Sequence, residues 1–479
     1  MPQRSGEREA GWQLPPSLDA LIPADHTVRF VAAYVDSLDP IDWTHLGISL
    51  DAKERGAPRY HPRMLLGLWI WGFMQGVRSA RKLEVAAQEM LSYRWLTGQQ
   101  TPDHNTLWRF YQAHRAGMRY LLTHSVQLAV RAGLVDLALQ AVDGTKIAGN
   151  AARDRTYDRP GLDRLIERCE QAIADLEAQN TTGGEEAPPR LPQELATQEA
   201  LLQRVREARA QIEPDRRINL TDPDAQVMKG RSGYMAGYNG QVVVAPLEEA
   251  VTGRGGMLIT AAAVTDEADD HSQLVPMLEQ AAHQTGCRAP ITLADGGYHS
   301  GENLQATADQ LVLMPEAQKT TAPYHKARFS YDPAQDHYTC PQGQTLHCSS
   351  QVQRRDRGMV RRYRSTGAVC RACPAFGTCT TDRRQGRSLE VGPLEVLLVA
   401  HRALMATQEA IRVYARRQEL VEPVFGIQKE QQGARRFLLR GREAVDGEWR
   451  LLAATFNLRT LAQLWRTRPT LLPLELHPA

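Results

Sequence analysis

Two apolar runs of strand type each lead straight into an aspartate followed by glycine, and this repeated pattern restricts the chain to sheet-based folds with a functional rim. The first run is Leu137–Val142 before Asp143-Gly144; the second is Ala289–Ala294 before Asp295-Gly296-Gly297. Taken singly, each Asp-Gly reads as a turn, since both residues suit one. Taken together, they put two carboxylates at the carboxyl ends of buried strands, where open α/β sheets place their ligands. The glycines behind Asp295 also let backbone or substrate approach closely. A third acidic residue, Glu422, lies in the basic stretch Tyr414–Lys429. Carboxylates that converge from distant elements on a sheet's rim are what a two-metal phosphoryl-transfer site requires.

The rest of the chain organises around these runs. At 479 residues it is too long for one ordinary core, and about three units are expected at roughly 100–200 residues each. Residues 15–133 read as helical. Thr27–Asp36 and His61–Met74 (with Pro62 at its start) have helical spacing, and Asp103 or Asn105 could cap a helix carrying Arg109, Arg115 and Arg119. Two readings stand for this region: a helix-turn-helix-like DNA-binding domain, or a helical packing and dimerisation domain. A core begins near Leu134 and is expected in three parts, 134–160, 219–319 and 395–465. Gln241–Pro246, Met257–Val264 and Leu311–Met314 read as strands beside the two runs above, and His271–Gln284 and Glu302–Gln310 as helices. Strands first, then alternation of helix and strand, describes an α/β sheet with a partly antiparallel edge. Two insertions interrupt it. Residues 161–218 carry Leu162, Leu165, Cys169, Ile173 and Leu176, then Leu195, Leu202, Val205 and Ile212, at three-to-four spacing on either side of Thr181–Pro189. That pattern predicts an antiparallel helical hairpin. Residues 320–394 hold five of the seven cysteines.

Charge and cysteine usage narrow the function class. Formal net charge is only +2, so bulk charge does not select nucleic acid. Between Ile411 and Arg442, however, eight basic residues face three acidic ones, a difference of +5 around Glu422. Such a strip suits a polyanion, or else is a solvated face. No apolar run approaches the ~20 residues of a membrane span and Met1–Arg8 lacks a signal-peptide core, so a cytoplasmic location is expected. Cys340, Cys370, Cys373 and Cys379 form a possible four-thiolate zinc site, with His347 and Cys348 as alternative ligands; the other reading is reduced free thiols. Arg354–Arg364 lies between these knuckles and could face DNA, and Cys169 and Cys287 read as core residues.

Around Glu422 the pattern becomes specific. Lys429 lies seven residues on, about two helical turns, so both point along one face. Pro423 disfavours helix at Glu422 and predicts a helix start or kink there. The segments bearing Asp143, Asp295 and Glu422 resemble the catalytic blocks of bacterial insertion-sequence transposases with the DDE triad. One branch of that family carries a Tyr-x2-Arg-x3-Glu-x6-Lys signature. Here Tyr414-x2-Arg417 and Glu422-x6-Lys429 match, with four residues between Arg417 and Glu422, which leaves Arg416, Arg417 or neither as the phosphate-contacting arginine. Tyr60–Leu66, Thr221–Lys229, Gly237–Gln241, Gly433–Gly441 and Phe456–Leu461 are also similar to this branch, so the resemblance spans most of residues 20–465. It implies a ribonuclease-H-like mixed sheet, as in retroviral integrases. It further implies that Asp143, Asp295 and Glu422 bind Mg²⁺ (or Mn²⁺), and that Tyr414, Arg417 and Lys429 hold DNA phosphates. Arg435 and Arg436, and Lys146 and Lys229, would add further backbone contacts. The implied reaction is cleavage at element ends and strand transfer into double-stranded target DNA, by at least a homodimer, in the cytoplasm at the nucleoid. The alternatives are a ribonuclease-H-like nuclease that cuts without joining and a DNA-binding regulator that keeps the fold.

Overall fold

The computed structural model describes residues 17–50, 60–182, 191–214, 216–230, 233–316, 322–354 and 358–474. Its centre is a mixed sheet organised by the strand Leu139–Ala148. On one side this strand pairs antiparallel with the long strand Gly233–Pro246, which pairs antiparallel in turn with Met257–Thr265 and Gln226–Gly230. On the other side it pairs parallel with Ile291–Leu293, and that strand pairs parallel with Leu311–Leu313. Four strands in antiparallel pairs are thus followed by a parallel continuation of two. Side chains alternate between faces along a strand, and the alternation sorts the core. Leu139, Ala141 and Ile147 point into the larger apolar cluster, whereas Val142 points to the opposite face with Val243, Ala261 and Tyr298. Helix Leu274–Thr285 covers that second face through Leu274, Met277, Leu278 and Ala281.

The first face is covered by helices from both ends of the chain. Helix Thr27–Asp36 forms as its apolar spacing predicts, and His61 and Asp103 cap Pro62–Met74 and His104–His114 by accepting the amides of Arg63 and Thr106. These helices and Tyr120–Arg131 share one apolar cluster with the sheet and with the last long helix, Arg442–Thr467. Phe30 meets Trp465 at a ring distance of 5.9 Å. The last helix also completes the sheet's outer edge. Asn457, fully buried, accepts the amide of Ile259 and donates to its carbonyl, both at 2.8 Å, and Asp446 accepts the amide of Val264. An edge strand otherwise leaves such groups unpaired.

Several boundaries differ from expectation for physical reasons. The first strand does not stop at Val142. It runs on to Ala148 because Gln241 to Gly237 pair with Gly144 to Ala148, so ladder pairing overrides the turn signal of Asp-Gly. The strand expected at Gln241–Pro246 likewise begins at Gly233. Pro423 does not start a helix; it lies inside the helix Gln408–Glu430. Glu419, the residue four before it, is exposed, so water can take the carbonyl that the proline cannot.

Helices Arg159–Thr182 and Leu191–Gln211 run antiparallel, with Arg206 bonded to Glu170 and Arg209 to Asp163. Leu162, Val205, Ala208 and Ile212 pack between them. Most of the expected Thr181–Pro189 tip lies outside the described residues. The cysteine-rich segment contains a five-stranded antiparallel sheet from Ser330 to Val391. Two of the arginines expected to face DNA from it are ion-paired within it, Arg361 with Asp336 and Arg362 with Glu390. Cys169 is buried, but Cys287 is exposed in the turn after Leu274–Thr285 and is not a core residue. No helix among the described residues is long and apolar enough to cross a membrane.

Candidate active site

Register brings the two aspartates level. Ala141 stands opposite Leu293 in the parallel pair, and the next residues on the same face are Asp143 and Asp295. The neighbouring strand ends at Leu293, which opens the rim where Asp143 would otherwise be covered. Asp143 therefore lies mid-strand but beyond its parallel neighbour. Asp295 is held in a tight turn, its Oδ1 accepting the amide of Gly297 at 2.7 Å.

Helix Gln408–Glu430 crosses the face to which Asp143 and Thr145 point. Arg417 Nη2 lies 2.8 Å from Asp143 Oδ2, with both side chains about 15% exposed (14% and 15%), and Lys429 donates to the Thr145 hydroxyl. Tyr414 is half-buried one turn before Arg417, close enough for its hydroxyl to feel both aspartates. Glu422 is exposed on the helix edge that also carries Lys429. The fold therefore brings Asp143, Asp295, Tyr414 and Arg417 together, with Lys429 bonded to Thr145, the next residue on the face of Asp143, while Glu422 is exposed on the helix. Arg417 meets a carboxylate, whereas a phosphate contact was expected. Of the outer basic residues, Arg435 pairs with Glu430 at the surface, and Arg436 is exposed. Arg119 bonds the Glu443 carbonyl, whereas Arg109 and Arg115 are exposed on the N-terminal helices. Lys146 donates to the Lys229 carbonyl at 3.4 Å, holding the Gln226–Gly230 strand beside the rim.

Electrostatics mark Asp143 as the strained member. Burial pushes its carboxyl up to about 6; Arg417 pulls it down, and the negative charges of Asp295 and Asp270 push it up again. A buried carboxylate beside a second one is a hard oxygen donor short of positive charge, and that chemistry fits a divalent cation. Among the described residues, no three carboxylate, imidazole or thiol side chains are gathered in an arrangement that holds a metal ion; at Asp143 the positive charge comes from Arg417. Cys340, Cys370, Cys373 and Cys379 line one cavity of about 20 Å³, while Cys348 is exposed on the Thr345–Arg354 strand and His347 is exposed beside it. Because Asp143 holds a proton below about pH 6 and must release it before binding metal, Mn²⁺ affinity should rise by up to roughly tenfold per pH unit toward pH 6 and level off above it. Calorimetric titration checks this; a flat profile would contradict the assignment of Asp143 as a ligand.

Comparison with known families places these residues. Residues 16–113 match a transposase domain (DUF772), and residues 339–462 match the transposase DDE domain. These matches support an insertion-sequence DDE transposase. No curated protein and no solved structure matches the chain. The transposase DDE match contains Tyr414, Arg417, Glu422 and Lys429 together with the four clustered cysteines, while Asp143 and Asp295 lie between the two matched transposase segments. The segment Thr221–Lys229 turns out to serve packing: Asp222, buried, accepts the Tyr238 hydroxyl and the Gly441 amide, and Asp224 accepts the Arg442 amide, which anchors the start of the last helix. One participant had escaped sequence reading. Asp270 lies beside the two aspartates but comes from Thr265-Asp-Glu-Ala-Asp-Asp270, an acidic run that reads as a solvated loop.

Proposed function

We propose that the protein cleaves DNA at the ends of its insertion element and joins those ends to target DNA, using Asp143, Asp295 and Glu422 to hold divalent ions, Mg²⁺ or Mn²⁺. The observation that carries this reading is the level placement of Asp143 and Asp295 at an open rim under a helix bearing Arg417, Glu422 and Lys429. The strand order, with the antiparallel strands Met257–Thr265, Gly233–Pro246 and Leu139–Ala148 continued by two parallel ones and Gln226–Gly230 added beside Gly233–Pro246, supports a ribonuclease-H-like core.

When bound, the ions supply activation of the attacking oxygen and charge stabilisation of the leaving 3′-oxygen. The chain's own residues do the rest. Lys429, held at Thr145 on the central strand, and Tyr414 fix the scissile strand by its phosphates. Arg417 is the resident counter-charge of Asp143; with a cation on the aspartate its guanidinium turns to a phosphate, for which its fork geometry is suited. This is the role of the arginine in the Tyr-Arg-Glu-Lys branch, and among Arg416 and Arg417 it favours the latter, since Arg416 is exposed on the far side of the helix. Attack on two element ends in one event calls for two sites, hence a homodimer in the active complex.

A gel assay with labelled element ends, a supercoiled target plasmid and Mg²⁺ separates the alternatives. Joined products are expected. Cut ends without joined products would instead mean a nuclease, and binding without either would mean a regulator.

A further inference from the structure

Asp270 sits at the site without belonging to its reactive face, and its bonds explain why. Its Oδ1 accepts the side-chain amides of Asn239 at 2.7 Å and Gln241 at 2.6 Å. Both residues are buried and stand on the strand Gly233–Pro246, where Gln241 pairs with Gly144 and Asn239 with Lys146. Cross-strand partners share a face, so Gln241 lies on the Gly144 side of the central strand, the side opposite Asp143. A Cβ on Gly144 would fall 2.3 Å from Gln241 Nε2 and 2.4 Å from Asp270 Oδ1. The carboxylate is therefore packed onto the peptide that follows Asp143, from behind.

The same carboxylate reaches the second aspartate's turn. A Cβ on Gly297, whose amide Asp295 holds, would lie 3.3 Å from Asp270 Oδ2. A closed ring of hydrogen bonds fixes this arrangement. Gln241 donates to Asp270 and accepts the hydroxyl of fully buried Tyr298; Asn303 donates to the carbonyl of Tyr298 at 2.7 Å and to that of His271 at 2.8 Å; and His271 is the residue after Asp270. The ring joins the central ladder, which carries Asp143, to the Gly296–Tyr298 turn, which carries Asp295. It adds a second tie between these parts to the short parallel pairing of Ile291–Leu293 with Leu139–Ala141.

We infer that Asp270 is a positioning residue that sets the spacing of Asp143 and Asp295 from behind the sheet, an inference that rests on those two aspartates being the catalytic pair. With Oδ1 committed to two amides and the side chain on the rear face, it acts through its neighbours and does not touch the reacting phosphate. Loss of such support matters because a misplacement of about 1 Å at a reacting centre can cost about 10²-fold in rate.

The test compares Asp270→Ala with Asp270→Asn, reading both the cleavage rate on element-end DNA and Mn²⁺ affinity by calorimetry without DNA. Asp270→Ala removes the acceptor and should lower each by roughly 10–100-fold. Asp270→Asn keeps one oxygen that can accept both amides, and should recover to within about threefold of the parent. A parent-like Asp270→Ala would overturn the inference. So would an Asp270→Asn as impaired as Asp270→Ala, because the charge itself would then be required and not the bonds. If Asp270→Ala does not fold, Tyr298→Phe opens the ring at Gln241 with one atom removed; folded and fully active, it would equally overturn the proposal. Asp295→Asn is run beside these variants: if it cleaves like the parent, the catalytic reading itself fails, whereas an inactive Asp295→Asn with a parent-like Asp270→Ala removes only the positioning role.

Discussion

Asp143→Asn and Asp295→Asn should each lose metal-dependent cleavage by at least on the order of 10³-fold, about 4 kcal/mol of transition-state stabilisation, while still shifting element-end DNA in a gel. The two aspartates stand level across a parallel pair and are the hardest donors on the rim. An amide is nearly the same size, so packing survives, but it carries no charge to hold a cation and cannot place the attacking oxygen. The variants should differ in one respect. Asp143 is the buried partner of Arg417, so Asp143→Asn leaves a guanidinium without its carboxylate, whereas Asp295→Asn leaves that pair intact. Asp295→Asn is accordingly the cleaner probe. Full cleavage by either protein would remove the catalytic assignment, and loss of DNA binding by Asp295→Asn would mean that the rim is a docking surface and not a reactive centre.

Glu448→Ala should destabilise the whole chain by about 3–5 kcal/mol, the cost of leaving a buried charge without its partner. Glu448 is 1% exposed and accepts from Arg78 Nη1 at 2.8 Å and from the amides of Leu438 and Leu439 at 3.0 Å. Arg78, 5% exposed, also donates to the carbonyls of Gly433 and Arg436. One carboxylate thus ties the N-terminal helices, the connection after helix Gln408–Glu430 and the last helix. At roughly 2.1 cal/mol/K per residue of unfolding entropy, such a loss lowers the melting temperature by about 4 °C. The pair Arg206–Glu170 on the helical hairpin offers the control: its side chains are 54% and 48% exposed, and breaking it should change stability by less than about 1 kcal/mol. Equal shifts for the two pairs in calorimetry would show that burial at Glu448 carries no penalty.

Much of the architecture was legible from periodicity alone. The spacing in Thr27–Asp36 reports one buried face, and the apolar runs in Pro62–Met74 and Met257–Thr265 report elements buried nearly all round. The misses have a common cause in long-range pairing. Asp143-Gly144 looks like a turn until Gln241, far along the chain, pairs with Gly144. Pro423 looks like a helix boundary until neighbouring turns hold the helix through it. Asp270 sits in a run of acidic residues that resembles any solvated loop, and only folding shows Asn239 and Gln241 donating to it. Charge partners were not legible either: Arg361, Arg362 and Arg435 pair with Asp336, Glu390 and Glu430, which only folding brings beside them.

The helix Arg442–Thr467 completes the core of the N-terminal helices and closes the edge of the Met257–Thr265 strand through Asn457 and Asp446. A chain emerging from the ribosome therefore cannot finish its core until this helix has been made. Products that stop short of this helix keep an open strand edge and an uncovered apolar face, which invites aggregation and proteolysis. Frameshifts and premature stops ahead of this helix should remove the protein, and should not release a stable N-terminal fragment able to compete with the uninterrupted chain.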